Sequence, residues 1–221
     1  IEIGVDGSVT KSVLNNNSAS PTKNPRGCFM ALWTKAGDKV SANVLAGTSA
    51  YSIPTAPRIR TESRFPQTFI TADGLALKTR VRVWSSLVPH DIRYSNLPVI
   101  FFSITLTNKG TGPIEASAAL SWDALLGLGG SQTHGAFGSR DGNIVTPLAP
   151  ANGLAGMLLS SPDRQIQDPP HRLYYNARGE YALVAQPSAS DVMVTSAGWN
   201  SISMSPVWWK EFAADGTVSG T

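Results

Sequence analysis

Three histidines, one cysteine and a scatter of aspartates are the side chains of this sequence best suited to holding a metal or driving a reaction. His90, His134 and His171 lie far apart, and no H-x-x-x-H, H-E-x-x-H or C-x-x-C spacing sets two ligands on one face. They read as hydrogen-bonding loop residues, and no metal site is assigned. Cys28 follows Gly27 and precedes the apolar run Phe29-Met30-Ala31-Leu32, which reads as a strand carrying a buried, inert thiol. Serine chemistry lacks its G-x-S-x-G turn. Acid–base cleavage of a sugar acetal needs two carboxylates roughly 5 to 10 Å apart. Asp91, Asp123, Asp141, Asp163 and Asp168 fall near strand ends or loops, but nothing in their spacing pairs them. No catalytic residue and no cofactor is assigned.

Binding chemistry has more to work with. Gly127 to Gly142 (GLGGSQTHGAFGSRDG) holds six glycines, and a connection of that length is usually functional or disordered. It has neither the Lys-Ser/Thr nor the following helix of a phosphate loop, so nucleotide binding is set aside. His134, Arg140 and Asp141 on this loop are the substrate-binding candidates. Ser160 to His171, with Pro162, Pro169 and Pro170, is a second irregular stretch. Lys78, Arg80 and Arg82 put three cations on one face of a strand. Only Trp84 interleaves with them, so the face reads as solvated or interdomain and not as a nucleic-acid surface. Six tryptophans, Trp33, Trp84, Trp122, Trp199, Trp208 and Trp209, allow a carbohydrate platform, although tryptophan also fills cores and interfaces. Adjacent Trp208 and Trp209 cannot both enter one core from a helix, so one of them is expected to face another domain.

The elements that must carry these groups are strands. The chain has 221 residues, 42% hydrophobic and 15% charged, with 20 Gly and 15 Pro, a globular composition rich in turns. A net charge of +3 is too small to mark a nucleic-acid binder, and a single cysteine permits no intrachain disulfide. No apolar run is long enough to span a membrane and no signal peptide is evident, so the chain reads as soluble, with the cytoplasm favoured and the compartment not fixed by the sequence. The chain opens at Ile1 inside an alternating pattern and closes on a Gly-Ser-Thr stretch, as a piece of a longer protein would.

Period-two alternation recurs throughout. Leu77, Thr79, Val81 and Val83 take one face against Lys78, Arg80, Arg82 and Trp84 on the other. Val99 to Thr107 and Ile114 to Trp122, joined by Asn108-Lys109-Gly110-Thr111-Gly112-Pro113, read as a hairpin. Asp6-Gly7 reads as a turn between strands Ile1 to Val5 and Ser8 to Leu14. Further strands are expected at Gly27 to Trp33, Val40 to Leu45, Ile59 to Phe65, Gly153 to Leu159, Glu180 to Ala185 and Val192 to Thr195. One short helix is expected, capped by Ser205 and Pro206 and carrying the Trp208/Phe212 pair. The sum is an all-β chain, an antiparallel β-sandwich of two packed sheets with long loops, forming one domain over residues 1–221.

Several runs carry a resemblance. Trp84-Ser-Ser-Leu-Val-Pro-His-Asp91, Ser95-Asn-Leu97-Pro98-Val-Ile-Phe-Phe102, Leu106-Thr-Asn108 and Leu120-Ser-Trp122-Asp123-Ala-Leu-Leu126-Gly127 resemble the N-terminal domain of glycoside hydrolase family 116, the non-lysosomal glucosylceramidase and β-glucosidase family. Ile1-Glu-Ile-Gly-Val-Asp-Gly-Ser8 with Asn15 to Asn17, and Trp208 to Gly216 (WWKEFAADG), extend the likeness over most of the chain, while Ser86 and Arg93 depart from it. The resemblance implies a β-sandwich packed on a larger helical toroid of the same polypeptide, which carries both catalytic carboxylates of a retaining mechanism. It implies a role in docking on and stabilising that helical catalytic domain, with a glucoside substrate reached only through the parent enzyme. The rival from the residues alone is a stand-alone carbohydrate- or protein-binding sandwich.

Overall fold

The computed structural model describes residues 1–12, 22–23, 27–49, 53–123, 126, 128–131, 135–138, 143–162, 165–168, 173–176, 179–188, 191–196 and 207–218. In chain order the strands are β1 (Glu2–Ile3), β2 (Val9–Ser12), β3 (Thr22–Lys23), β4 (Phe29–Ala36), β5 (Lys39–Val44), β6 (Arg58–Arg64), β7 (Gln67–Asp73) and β8 (Lys78–Ser85). Helix α1 (Ile92–Ser95) precedes β9 (Ile100–Thr107), β10 (Glu115–Ser121), β11 (Leu128–Ser131), β12 (Gly135–Gly138) and β13 (Ile144–Ala151). β14 (Leu154–Ser161), β15 (Gln165–Asp168), β16 (Leu173–Asn176), β17 (Gly179–Ala185) and α2 (Val207–Asp215) follow. Every pairing of these strands is antiparallel, so among the described residues the fold is all-β with two short helices.

Two sheets make the sandwich, β6-β7-β8-β9 and β10-β4-β5. Alternation decides which side chains they share. Ile70 and Ala72 of β7, Val81 and Val83 of β8, and Met30 and Leu32 of β4 form one buried cluster, with Phe102, Ile104, Leu106 and Leu120 packed against it. Each fully buried aliphatic side chain there contributes roughly 1.5–3 kcal/mol. β4 is buried on both faces, because Ala31 and Trp33 point away from that core into a second one. Helix α2 closes the second core with Trp209 and Phe212, making a third layer. Trp208 stacks on Phe29 at 5.2 Å. Both tryptophans of the pair therefore lie against the same sheet, against the expectation that one faces elsewhere; Trp209 enters the second core while the half-buried Trp208 ring lies on Phe29 of β4.

The expected alternation of β8 is observed, with Leu77, Thr79, Val81 and Val83 buried and Lys78, Arg80 and Arg82 exposed. The Asp6-Gly7 turn joins β1 to β2, with Gly7 at φ +78°. Asp6 ties that turn to the rest of the fold. Its carboxylate accepts from Ser8 Oγ at 2.6 Å and Thr48 Oγ1 at 2.7 Å, and its carbonyl accepts from Gly47 N at 2.7 Å.

Other expectations are corrected. The segments before and after Asn108–Pro113 are not a hairpin, since β9 pairs with β8 and β10 with β4. That connection crosses from one sheet to the other, and the same glycine-rich turn chemistry serves either path. Residues 192–195 form no strand. Both stretches read as irregular contain strands, for β11 pairs with β12 and β15 with β16. Ser205 and Pro206 lie outside the described residues.

Candidate functional site

The substrate-binding candidates His134, Arg140 and Asp141 lie outside the described residues, as do His171, Asp163 and Trp199. Asp123 is 8% exposed, and its carboxylate accepts from the Gly27 amide at 3.0 Å. Its own amide donates to Cys28 Sγ at 3.4 Å, and its carbonyl accepts from the Tyr181 hydroxyl. Asp123 thus fastens β4, the end of β10 and β17 together, and Cys28 is buried as expected. Asp91 instead shapes a surface loop. Among the described residues no three His, Cys, Asp or Glu side chains gather as a metal site would require.

That surface loop, from Ser85 to Ile100, is built by a small set of polar contacts. His90 sits at φ +65°, a backbone region that non-glycine residues seldom occupy, and turns the chain into α1. Asp91 caps the helix, its Oδ1 accepting from the amides of Arg93 at 3.0 Å and Tyr94 at 3.4 Å. An ion pair at 3.6 Å to Arg93 adds little, because the guanidinium is exposed. Ser95 Oγ donates to the Val88 carbonyl at 2.9 Å and accepts from the Val88 amide at 3.1 Å, closing the loop across its base. The backbone is held, yet α1 contains no buried residue. Ile92 is 76% exposed and Tyr94 55%, with Leu87, Val88 and Leu97 also exposed. A loop fixed by its polar groups and showing its apolar ones to solvent inverts the usual arrangement.

Beside the loop lies a cleft of about 320 Å³, bounded by Pro66 of the β6–β7 turn and Gln67 of β7, by Arg82 and Trp84, by Ser85 to Val88, and by Phe101. Register explains this grouping. Arg64, Gln67, Trp84 and Phe101 are successive cross-strand partners, so their side chains share the outer face of the four-stranded sheet. Trp84 stacks on Phe101 with centroids 5.2 Å apart. The Arg82 guanidinium lies 4.5 Å from the indole centroid, and its Nε donates to Gln67 Oε1 at 2.8 Å.

The same outer face is strongly cationic. Register puts Arg58, Arg60, Arg64, Lys78, Arg80 and Arg82 on it, against only Glu62 and Asp73. None of the six is ion-paired among the described residues. Arg80 lies over Phe69 at 4.2 Å instead. Three of these cations were evident from the alternation of β8; the other three come from β6, and nothing in the sequence aligns the two strands. The apolar loop was legible only as a motif, because its exposure is a tertiary property.

A family model described as beta-glucosidase 2, glycosyl-hydrolase family 116 N-term matches residues 1–221, the whole chain. No curated protein matches it.

Proposed function

We propose, for a chain that belongs to the N-terminal domain family of glycosyl-hydrolase family 116, a non-catalytic role as the β-sandwich that docks on and stabilises the helical catalytic domain of a β-glucosidase. Residues 1–221 act as one domain in this reading, and the two carboxylates of a retaining mechanism belong to the helical part. A retaining enzyme sets those carboxyl groups about 5–5.5 Å apart, one as nucleophile and one as acid and then base. The substrate, a glucoside, is met by the parent enzyme and not by this chain alone.

The observation that carries the reading is the family match over all 221 residues to a domain described as N-terminal. The hydrolysis of an aryl β-glucoside tests it. The full polypeptide is expected to turn over, and the 221-residue chain is expected to show no turnover above the uncatalysed rate. Normal turnover by the chain alone overturns the assignment of catalysis to the helical part.

A second reading, a carbohydrate-binding module, draws on the cleft in which Trp84 lies beside Gln67 and Arg82. Aromatic faces and planar hydrogen-bonding groups are what sugar rings use. Titration of glucosides and oligosaccharides against tryptophan fluorescence is its test, and no response across a broad panel removes it.

A further inference from the structure

We infer that the Ser85–Phe101 loop and the adjoining Trp84/Arg82 cleft are the surface on which the helical catalytic domain of the same polypeptide docks. The inference rests on the docking role proposed above and adds where that contact lies and what chemistry the partner offers.

Area is the first ground. Phe65 and seven apolar side chains between Leu87 and Phe101 are 38–88% exposed, leaving out Ile100, which alternation turns to the other face of β9. Together they uncover on the order of 800 Å², taking large side chains at the usual 150–250 Å² each. Interdomain contacts within one chain bury about 600–1,500 Å², so the patch has the size of one side of such a contact.

Rigidity is the second. Asp91 and Ser95 fix the loop backbone from within. The apolar groups are therefore presented in a set arrangement, which lowers the ordering cost of association.

The occupant follows from shape and charge. Arg82 borders the cleft, Arg64 is the cross-strand partner of its Gln67, Arg93 stands on α1, and the rest of the cationic sheet face adjoins them. A complementary surface is apolar at its centre and acidic at its edge, with one side chain able to enter the cleft against the Arg82 guanidinium. A second copy of this chain, laid on the patch about a two-fold axis, would set these cations against their own counterparts. A bilayer offers anionic charge, but its plane leaves a concave cleft unfilled. The remaining part of the enzyme is covalently attached to a domain described as N-terminal, so its effective concentration at this surface is high.

The test uses the full polypeptide and the double variant Ile92→Asp/Leu97→Asp. Both side chains are exposed in the isolated fold, so the sandwich itself is expected to keep its stability. Val5→Asp, at a side chain 91% exposed elsewhere, is the control. Two charges set into a central apolar contact are expected to shorten the half-life of aryl β-glucosidase activity on heating by about tenfold or more. Amide exchange across residues 85–101 is expected to rise, and the control is expected to change neither.

An unchanged half-life and unchanged exchange in the double variant, with wild-type sandwich and activity lost in one transition, overturns this surface while leaving docking intact. Loss of activity and sandwich unfolding in two independent wild-type transitions overturns the docking reading itself. Dimerisation, or sedimentation with anionic phosphatidylserine vesicles, that the double variant abolishes names another occupant and also overturns the inference.

Discussion

Replacing Gly216 by alanine tests how α2 is locked onto the sandwich. Gly216 follows the helix at φ +79°, and its amide donates to the Phe212 carbonyl at 2.9 Å. A Cβ added there would lie 2.7 Å from two ring carbons of Trp33 and 2.8 Å from Ser117 Oγ. Trp33 is 4% exposed and packed on all sides, so its ring cannot swing away. Two costs therefore add. The left-handed backbone is worth about 1–2 kcal/mol against a residue with a Cβ, and forcing an extra methyl into a packed core costs about 1–3 kcal/mol. The expected loss is about 2–5 kcal/mol.

Two other glycines separate these terms. Gly37, in the β4–β5 turn, has φ +58° and nothing within 4 Å of an added Cβ, so Gly37→Ala carries only the backbone term of about 1–2 kcal/mol. Gly112 has open space and no positive φ, so Gly112→Ala is expected to stay within about 0.5 kcal/mol of wild type. Equilibrium urea unfolding with tryptophan fluorescence reads all three. At a slope of about 2 kcal/mol/M, the midpoint falls by about 1–2.5 M for Gly216→Ala and about 0.5–1 M for Gly37→Ala. Equal shifts for the two variants, at unchanged slope, refute the close packing of the helix end on Trp33.

Phe212, 2% exposed beneath α2, is expected to cost about 3–5 kcal/mol on truncation to alanine, measured by the same unfolding curves; a loss below about 1 kcal/mol contradicts the second core. Asp6 gives a pH signature. Burial pushes its carboxyl upward, but hydrogen bonds from Ser8 and Thr48 outweigh that and hold it below its ordinary 3.8. A carboxyl depressed in the folded state stabilises above the unfolded pKa and loses that contribution as pH falls through the folded pKa. Asp6→Asn is therefore expected to melt lower than wild type at pH 6, with the gap closing as the pH falls below 3.8 and through the lowered folded pKa; a gap that is constant across pH 2–7 contradicts the assignment.

Much of the fold was legible because alternation reports directly on burial. β8 reads off the alternation of Leu77, Thr79, Val81 and Val83 with Lys78, Arg80, Arg82 and Trp84, and the Asp6-Gly7 turn reads off the left-handed preference of glycine. Alternation says nothing about which strand lies alongside, and so β9 and β10 looked like one hairpin although they belong to opposite sheets. β13 was missed because Pro147 and Pro150 interrupt it; it is an edge strand, where a missing amide costs little. α1 was missed because four residues carry no periodic signal. The cleft was out of reach for a deeper reason. Gln67, Trp84 and Phe101 converge from three strands, and only register brings them into one row. The glycine-rich loop drew attention through composition, whereas the apolar surface that stands out in three dimensions belongs to a loop with ordinary composition.

Association in trans is the most direct measurement of the docking role. The 221-residue chain and the remainder of the family 116 polypeptide are produced separately and mixed, and the survival of aryl β-glucosidase activity on heating is followed as the chain is titrated. Saturable binding with a longer-lived activity is the expected result. A remainder that is equally active and equally long-lived without the chain, and that does not bind it, contradicts a docking and stabilising role.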